Sequence, residues 1–198
     1  MRAEIIKINS KKLDKNKLFL VAKLVRQGGV VIFPTDTVYI PIADATNKNA
    51  VGKVFLLKKR KRGHPIPVFV KDIKMARRLA EINKAQVEFL KTVWPGRTTV
   101  VLKRKFGKTT VYGVDKRTTA LRIPDYKPVR FLLGVLKRPL VATSANLSGR
   151  PASGKLKDVM GQFSDRGLID LIVDGGVLPG KPSMVIDLTG NTPKIIRY

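Results

Sequence analysis

The chain has no cysteine, and histidine occurs once. Disulfides, zinc–thiolate sites and thiol chemistry are therefore excluded, as is any metal centre built from Cys and His. The lone histidine, His64, stands in a run of cations, so a surface position is expected and no Ser/His/Asp triad can be assembled. Acid is scarce too: 14 Asp and Glu stand against 40 Lys and Arg, a formal charge of +26. No apolar run approaches the roughly 20 residues that a membrane span needs. Met1-Arg2-Ala3-Glu4 is not followed by the apolar region of a secretion signal, so the expected address is cytoplasmic, away from membranes. No G-x-x-x-x-G-K-[ST] phosphate loop occurs.

What is present suits a globular fold. Hydrophobic residues make up 43% of 198, enough for a real core, and the length fits one domain over residues 1–198. An excess of cations repels itself in a compact fold unless an anion is nearby. Lysine-rich surfaces of heat-stable proteins usually carry matching glutamate, which is missing here. The charge therefore points to a polyanion, either RNA or nucleotide phosphate.

Periodicity and punctuation predict strands at 5–8, 30–34, 68–70, 98–103, 120–123, 140–143, 171–173, 184–188 and 194–197. Helices are predicted from Asp14 to about Gln27, from Asn47 to about Lys59, after Asp72, over 84–93 and over 156–163. Strands and helices are interspersed without strict alternation. The expected class is α/β of the α+β type: an open, twisted mixed sheet with helices packed on it.

Four polar segments interrupt the apolar elements. Thr35, Thr37 and Tyr39 follow a buried strand and offer hydroxyls that donate and accept. Lys58-Lys59-Arg60-Lys61-Arg62 ends a helix and supplies forks and point charges for phosphate oxygens. Residues 142–149 place small hydroxyl side chains and Gly149 after a strand, where backbone N–H groups approach a ligand closely. Residues 174–183 form a glycine-rich stretch ahead of a late strand. Taken singly, each has an ordinary alternative: a turn with self-satisfied hydroxyls, a solvated helix end, or a surface loop.

Together with Trp94-Pro95-Gly96, Leu121-Arg122-Ile123-Pro124 and Pro182-Ser183 followed by Asp187, these segments occur in an order and spacing that resembles the YrdC-like family, which includes L-threonylcarbamoyladenylate synthases. The resemblance runs over nearly the whole chain and corresponds to the short, single-domain form. It implies an open α/β fold with a basic concave face. It also implies a reaction in which the threonine amine captures carbon dioxide from bicarbonate, and the carbamate then attacks the α-phosphate of ATP and releases pyrophosphate. By position in the family pattern, Lys58, Arg60, Ser144 and Asn146 surround the nucleotide and carry the chemistry, with further ATP contacts from His64, Thr118 and Arg197. Thr37, Arg122, Thr143 and Ser183 fall at threonine positions, with Arg122 on the carboxylate. Mg2+ is expected to arrive with the nucleotide rather than on a protein metal site. The implied partners are tRNA or double-stranded RNA on the basic face and the machinery that transfers the threonylcarbamoyl group to tRNA.

The chain departs from the family pattern in places. Ile40-Pro41-Ile42 replaces the usual Gly-Leu-Gly, which predicts a stiffer, bulkier turn. Phe69 stands where a histidine is usual, Arg97-Thr98-Thr99 replaces Pro-Leu-Thr, and Met184 follows Ser183. Together these predict a more apolar amino-acid pocket. The alternative reading is a non-catalytic binder of double-stranded RNA or tRNA that keeps the basic face and has lost the pocket. A carbamoyl-transfer domain of hydrogenase maturation is the third reading, and the chain shows none of its accompanying acylphosphatase or zinc-finger segments.

The charge generates a first prediction. A tRNA or RNA duplex should bind without sequence preference, with log affinity falling linearly in log salt. Fluorescence anisotropy across a salt series checks this, and a flat response would show that the charge serves another purpose.

Overall fold

The structure is a computed structural model, which describes residues 3–9, 12–61, 63–107, 109–163 and 167–198. In chain order the elements are β1 (Glu4–Lys7), α1 (Lys15–Arg26), β2 (Val31–Phe33), β3 (Ile40–Ile42), α2 (Lys48–Leu57), β4 (Val68–Phe69), α3 (Ile73–Ala76) and α4 (Lys84–Val93). They continue with β5 (Thr98–Lys103), β6 (Thr118–Arg122), α5 (Lys127–Leu136), β7 (Leu140–Val141), α6 (Leu156–Gln162), β8 (Leu171–Asp174), β9 (Met184–Asp187) and β10 (Lys194–Arg197).

The strands form two mixed sheets, in the orders β1-β8-β2-β3 and β10-β9-β5-β6-β4-β7. Residues 43–45 and 139–141 join them: Val141 N–H donates to Ala43 O (2.9 Å) and Ala45 N–H to Pro139 O (3.0 Å). The mixed, open architecture expected from the interspersed elements is thus present, built as two sheets.

Both faces of β2 and β8 are covered. On β2, Val31 and Phe33 join one core cluster with α1 and α5, while Ile32 joins the other with α2. β8 alternates in the same way, with Leu171 and Val173 on one side and Ile172 on the other. A strand with helices on both faces has no solvent side, so 30–34 reads as a continuous apolar run.

Local chemistry sets the helix ends. The side chains of Asp14, Asn47 and Asp72 accept from backbone N–H groups at the starts of α1, α2 and α3. Asn83 and Gln86 form a reciprocal capping box on α4. Gly28, at φ 85°, turns the chain out of α1.

Two elements differ from the sequence reading. Residues 127–136 form α5, which the motif-centred reading passed over. Its signal is nonetheless present: Pro128 in the first turn, then Val129, Leu132, Leu133 and Leu136 buried at helical spacing. Ile40-Pro41-Ile42 is a strand rather than a turn, paired antiparallel to β2. Proline is tolerated there because β3 ends its sheet, and a missing N–H at an edge breaks no ladder bond. Ile40 and Ile42 are therefore core residues.

Leu121 lies at the centre of the six-stranded sheet and is fully buried. Leu121→Ala should lower the unfolding free energy by about 2–5 kcal/mol, as read from the urea midpoint.

Candidate active site

Lys58 directly follows α2 and is only 1% exposed. Its ammonium donates to Ser144 O, to Asn146 O (2.9 Å) and to Asn146 Oδ1 (3.1 Å). Three donors meet three oxygens, so the side chain is a strut into the 143–149 segment. The Lys58 carbonyl completes the joint by accepting from Ser148 N (2.9 Å). Burial, and secondarily the Arg60 charge, push the Lys58 ammonium down from 10.5 to about 7.

Asn146 is equally committed. Its Oδ1 also accepts from Ser144 Oγ (2.5 Å), and its Nδ2 donates to Leu147 O (3.0 Å) and Arg150 O (2.5 Å). The Ser144 hydroxyl, its proton given to Asn146, is left as an acceptor. Among the described residues the backbone N–H groups of Thr143 and Ser144 have no hydrogen-bond partner. Those two adjacent donors, standing after β7, are what the segment offers an anion. Three members of the nucleotide set thus bond one another.

The fourth, Arg60, sends Nε to His64 O and Nη2 to Pro65 O, both at 2.9 Å, and burial lowers its pKa. His64 is exposed, as expected. It lines a cleft of about 420 Å3 with Phe55, Asp115 and Arg117, beside a groove of about 900 Å3 bordered by Arg60, Phe55 and Tyr112. Thr118 follows Arg117 and donates its N–H to Asp115 Oδ1 (3.1 Å). Arg62 lies outside the described residues.

Arg122, at the end of β6, is 3% exposed. Nε donates to Gly96 O (2.8 Å), Nη1 to Thr37 Oγ1 (3.2 Å) and Nη2 to Asp36 Oδ1 (2.6 Å). Its guanidinium lies over the Phe69 ring, 5.5 Å from the centroid. Phe69 thus supports the cation from below. Burial pulls the Arg122 pKa down while Asp36 opposes the shift. The sequence reading missed Asp36, because pairing with a residue 86 positions away leaves no local signal.

Thr35 Oγ1 donates to Val38 O (2.7 Å), accepts from the N–H groups of Thr37 (3.0 Å) and Val38 (3.2 Å), and lies 2.9 Å from Thr37 Oγ1. With Arg122 on one lone pair, Thr37 Oγ1 keeps the other to accept from a ligand. That suits an amine N–H.

Hydrogen bonds draw the other segments toward Thr37. Ala145 N–H donates to Tyr39 O (2.7 Å) and Gly180 N–H to Thr37 O (2.9 Å). Tyr39 OH donates to Gly176 O (2.7 Å) and accepts from Gly175 N (3.1 Å); burial raises its pKa to about 12. Ser183 Oγ pairs with Thr99 Oγ1 (2.9 Å), and its carbonyl accepts from Arg197 Nη2 (2.7 Å). Thr143 is buried at the head of its segment.

The site is therefore a set of loops pinned together at the sheets, with one buried guanidinium paired to a carboxylate and one buried amine whose pKa is lowered to about 7. A family model described as Telomere recombination, covering Sua5, YciO and YrdC proteins, matches residues 23–198. The chain belongs to the Sua5/YciO/YrdC family. It is 34% identical over 188 residues to the threonylcarbamoyl-AMP synthase of Pyrococcus abyssi, an alignment covering 94% of this chain and 55% of that protein. The structure of P. abyssi Sua5 complexed with L-threonine superposes with a TM-score of 0.87 at 32% identity, over 98% of this chain and 56% of that one. Escherichia coli YciO superposes at 0.85 with 26% identity, over 98% and 95% of the two chains. The chain thus spans little more than half the length of the P. abyssi protein. No described helix is long and apolar enough to cross a membrane.

Removing one partner of a buried ion pair strands the other. Asp36→Asn should cost about 3–5 kcal/mol of stability, while Asp36→Asn combined with Arg122→Met should recover much of it. Urea denaturation of both variants checks this, and equal losses would show that the pair is not the stabilising unit.

Proposed function

We propose that this protein makes L-threonylcarbamoyl-adenylate from L-threonine, bicarbonate and ATP, releasing pyrophosphate, and so supplies the threonylcarbamoyl modification of adenosine in tRNA. The observation that carries this reading is the joining of Thr37, Arg122 and the 143–149 segment into one pinned site in a member of this family. Arg122 takes the threonine carboxylate through the guanidinium N–H groups that Asp36, Thr37 and Gly96 leave free. Thr37 accepts from the amine, and Thr143 and Ser183 stand at the remaining polar positions. The amine attacks carbon dioxide formed from bicarbonate, giving a carbamate with loss of a proton. The carbamate oxygen then forms a bond to the α-phosphorus while the bond to the β-phosphate oxygen breaks and pyrophosphate leaves.

No side chain need become a nucleophile. The work is bringing two anions together and meeting the charge that builds on the leaving group. Arg60, the Lys58 ammonium and the free N–H groups of Thr143 and Ser144 supply that positive potential. His64, Thr118 and Arg197 complete the nucleotide's surroundings, and Asn146 holds Lys58 and Ser144 in place. Among the described residues no three His, Asp or Glu side chains converge. Mg2+ therefore fits on the nucleotide's own phosphates rather than in a protein cage, and no step here runs through it.

The reading extends to a single functional domain over 1–198, a cytoplasmic address, a basic concave face that receives tRNA or double-stranded RNA, and hand-over of the adenylate to the enzymes that modify tRNA. The non-catalytic RNA binder is the alternative, favoured by the charge, by the departures from the family pattern and by the inward-turned polar atoms of Lys58, Ser144 and Asn146.

Pyrophosphate release from ATP and bicarbonate separates the two. Threonine should stimulate it more than serine, valine or 2-aminobutyrate; no release with any of the four would favour the RNA binder. Arg60→Ala should weaken ATP binding by about 1.5–3 kcal/mol in calorimetry.

Lys58 adds a pH signature. A bound triphosphate favours its ammonium form and raises its pKa above the value of about 7 in the free protein. Above that value the complex holds more protons than the free protein, so ATP affinity should fall as pH rises and stay level below it. Lys58→Arg, ionised throughout, should flatten the profile. Calorimetry from about pH 7.5 to about 9, where ATP's own phosphates have finished titrating, reads both proteins.

A further inference from the structure

Three cations that no step above uses surround a cleft of about 510 Å3. Arg78, Lys137 and Arg138 line it with Thr46, Thr109 and Thr110, and among the described residues no carboxylate does. Behind Thr46 and Arg138 stands Asp44, which is fully buried and already committed. Its Oδ2 accepts from Arg138 Nη1 (2.7 Å), and its Oδ1 accepts from the Thr46 N–H (2.8 Å) and hydroxyl (2.6 Å). That pairing fixes Arg138 from behind through one nitrogen and leaves the rest of its guanidinium fork available. It also turns the Thr46 proton away, so the hydroxyl donors facing the cleft are Thr109 and Thr110. Among the described residues, Arg78 and Lys137 form neither side-chain hydrogen bonds nor ion pairs.

The backbone supplies a second observation. Lys137 closes α5 in the left-handed region, at φ 54° and ψ 25°. Glycine or asparagine normally stands there, because a Cβ crowds the neighbouring carbonyl oxygen in that conformation. Among the described residues the only other non-glycine with positive φ is Lys59, inside the segment assigned above to the nucleotide. A lysine held where glycine fits better, at the rim of a cationic cleft, marks strain kept for a purpose other than folding.

The cleft is separate from the site already described. It shares no lining residue with the clefts at His64 and Arg60, and its Met75 and Leu79 pack in the core layer of Val68 and Val70, whereas Arg122 lies over Phe69, in the opposite layer. Lys137–Arg138 precede β7 and the 143–149 segment follows it.

We propose that this cleft is a second phosphate-binding site, in which the forks of Arg78 and Arg138 and the point charge of Lys137 hold one phosphate group while Thr109 and Thr110 donate to its oxygens. Forks and a compact ammonium around small hydroxyls are the chemistry that phosphate oxygens require. The phosphate comes either from a free phosphorylated compound or from the backbone of an RNA, and the two sources separate experimentally.

Lys137→Gly removes the charge and relieves the backbone, so the variant should melt at or above the temperature of the parent. Arg78→Ala leaves the Asp44–Arg138 pair untouched. The double variant is titrated beside the parent with inorganic pyrophosphate in calorimetry at low salt, and with a labelled RNA hairpin in anisotropy. A site for free phosphorylated compounds predicts pyrophosphate affinity about tenfold weaker with RNA affinity unchanged. A site for backbone phosphate predicts RNA affinity about tenfold weaker, with the salt slope reduced by about 0.7–0.9 for each lost contact. Unchanged affinity for both overturns the proposal. Threonine-dependent pyrophosphate release from ATP should be unaffected, and its loss in a variant that still folds would place the cleft in the catalytic site and overturn the proposal as well.

Discussion

A buried cation must be met by oxygen, and this chain has few carboxylates with which to meet it. The structure answers mostly with backbone carbonyls. Buried Lys58 is held by the carbonyls of Ser144 and Asn146 and half-buried Arg60 by those of His64 and Pro65, and the exposed Arg197 bonds in the same way to that of Ser183. Arg104 follows the same rule on Asp115 O (3.0 Å) and Val111 O (3.4 Å). Each of these cations ties a loop to a helix end or a strand. Among the described residues only Arg122 and Arg138 draw a nearly buried carboxylate.

Because the ties are made by long side chains that cross between segments, the loops gain a shape that their own sequences do not dictate. The 143–149 segment is fixed from α2, the 34–39 segment from β6, and the 175–183 segment from Tyr39 and Thr37. What results is a site preorganised in its backbone, with one guanidinium neutralised in advance by Asp36. A neutralised cation suits a zwitterionic ligand, whose carboxylate and amine can be met by Arg122 and Thr37 without a net buried charge. It also explains Phe69: an aromatic face supports a guanidinium that already has its hydrogen bonds, so a second polar group beneath it is not needed.

The legible parts of the fold were those written in local chemistry. Asp14, Asn47 and Asp72 announced helices that the structure contains. The runs at 30–34 and 98–103 announced strands. The helix over Lys127–Leu136 carried an equally clear period, but it sat between two motif segments and was passed over. Ile40-Pro41-Ile42 misled because proline argues against a strand until the strand is known to lie at a sheet edge, which only the pairing order reveals. In the site, residue types and order pointed to phosphate and carboxylate chemistry, whereas the Asp36–Arg122 pair and the closure of Lys58 on Asn146 span tens of residues and leave no periodic trace.

By itself the sequence determined the absence of thiol and Cys/His metal chemistry, the cationic character, the helix boundaries set by capping residues and the family to which the motifs belong. These depend on composition or on neighbours within a few positions, where chain geometry leaves little choice. The tertiary structure alone decided which oxygens meet the buried cations, which hydroxyls keep a free lone pair, and that Lys137 is held at positive φ beside a second cationic cleft. Those outcomes depend on which distant segments the two cores bring within hydrogen-bonding reach, and that distance exists only once the chain has folded.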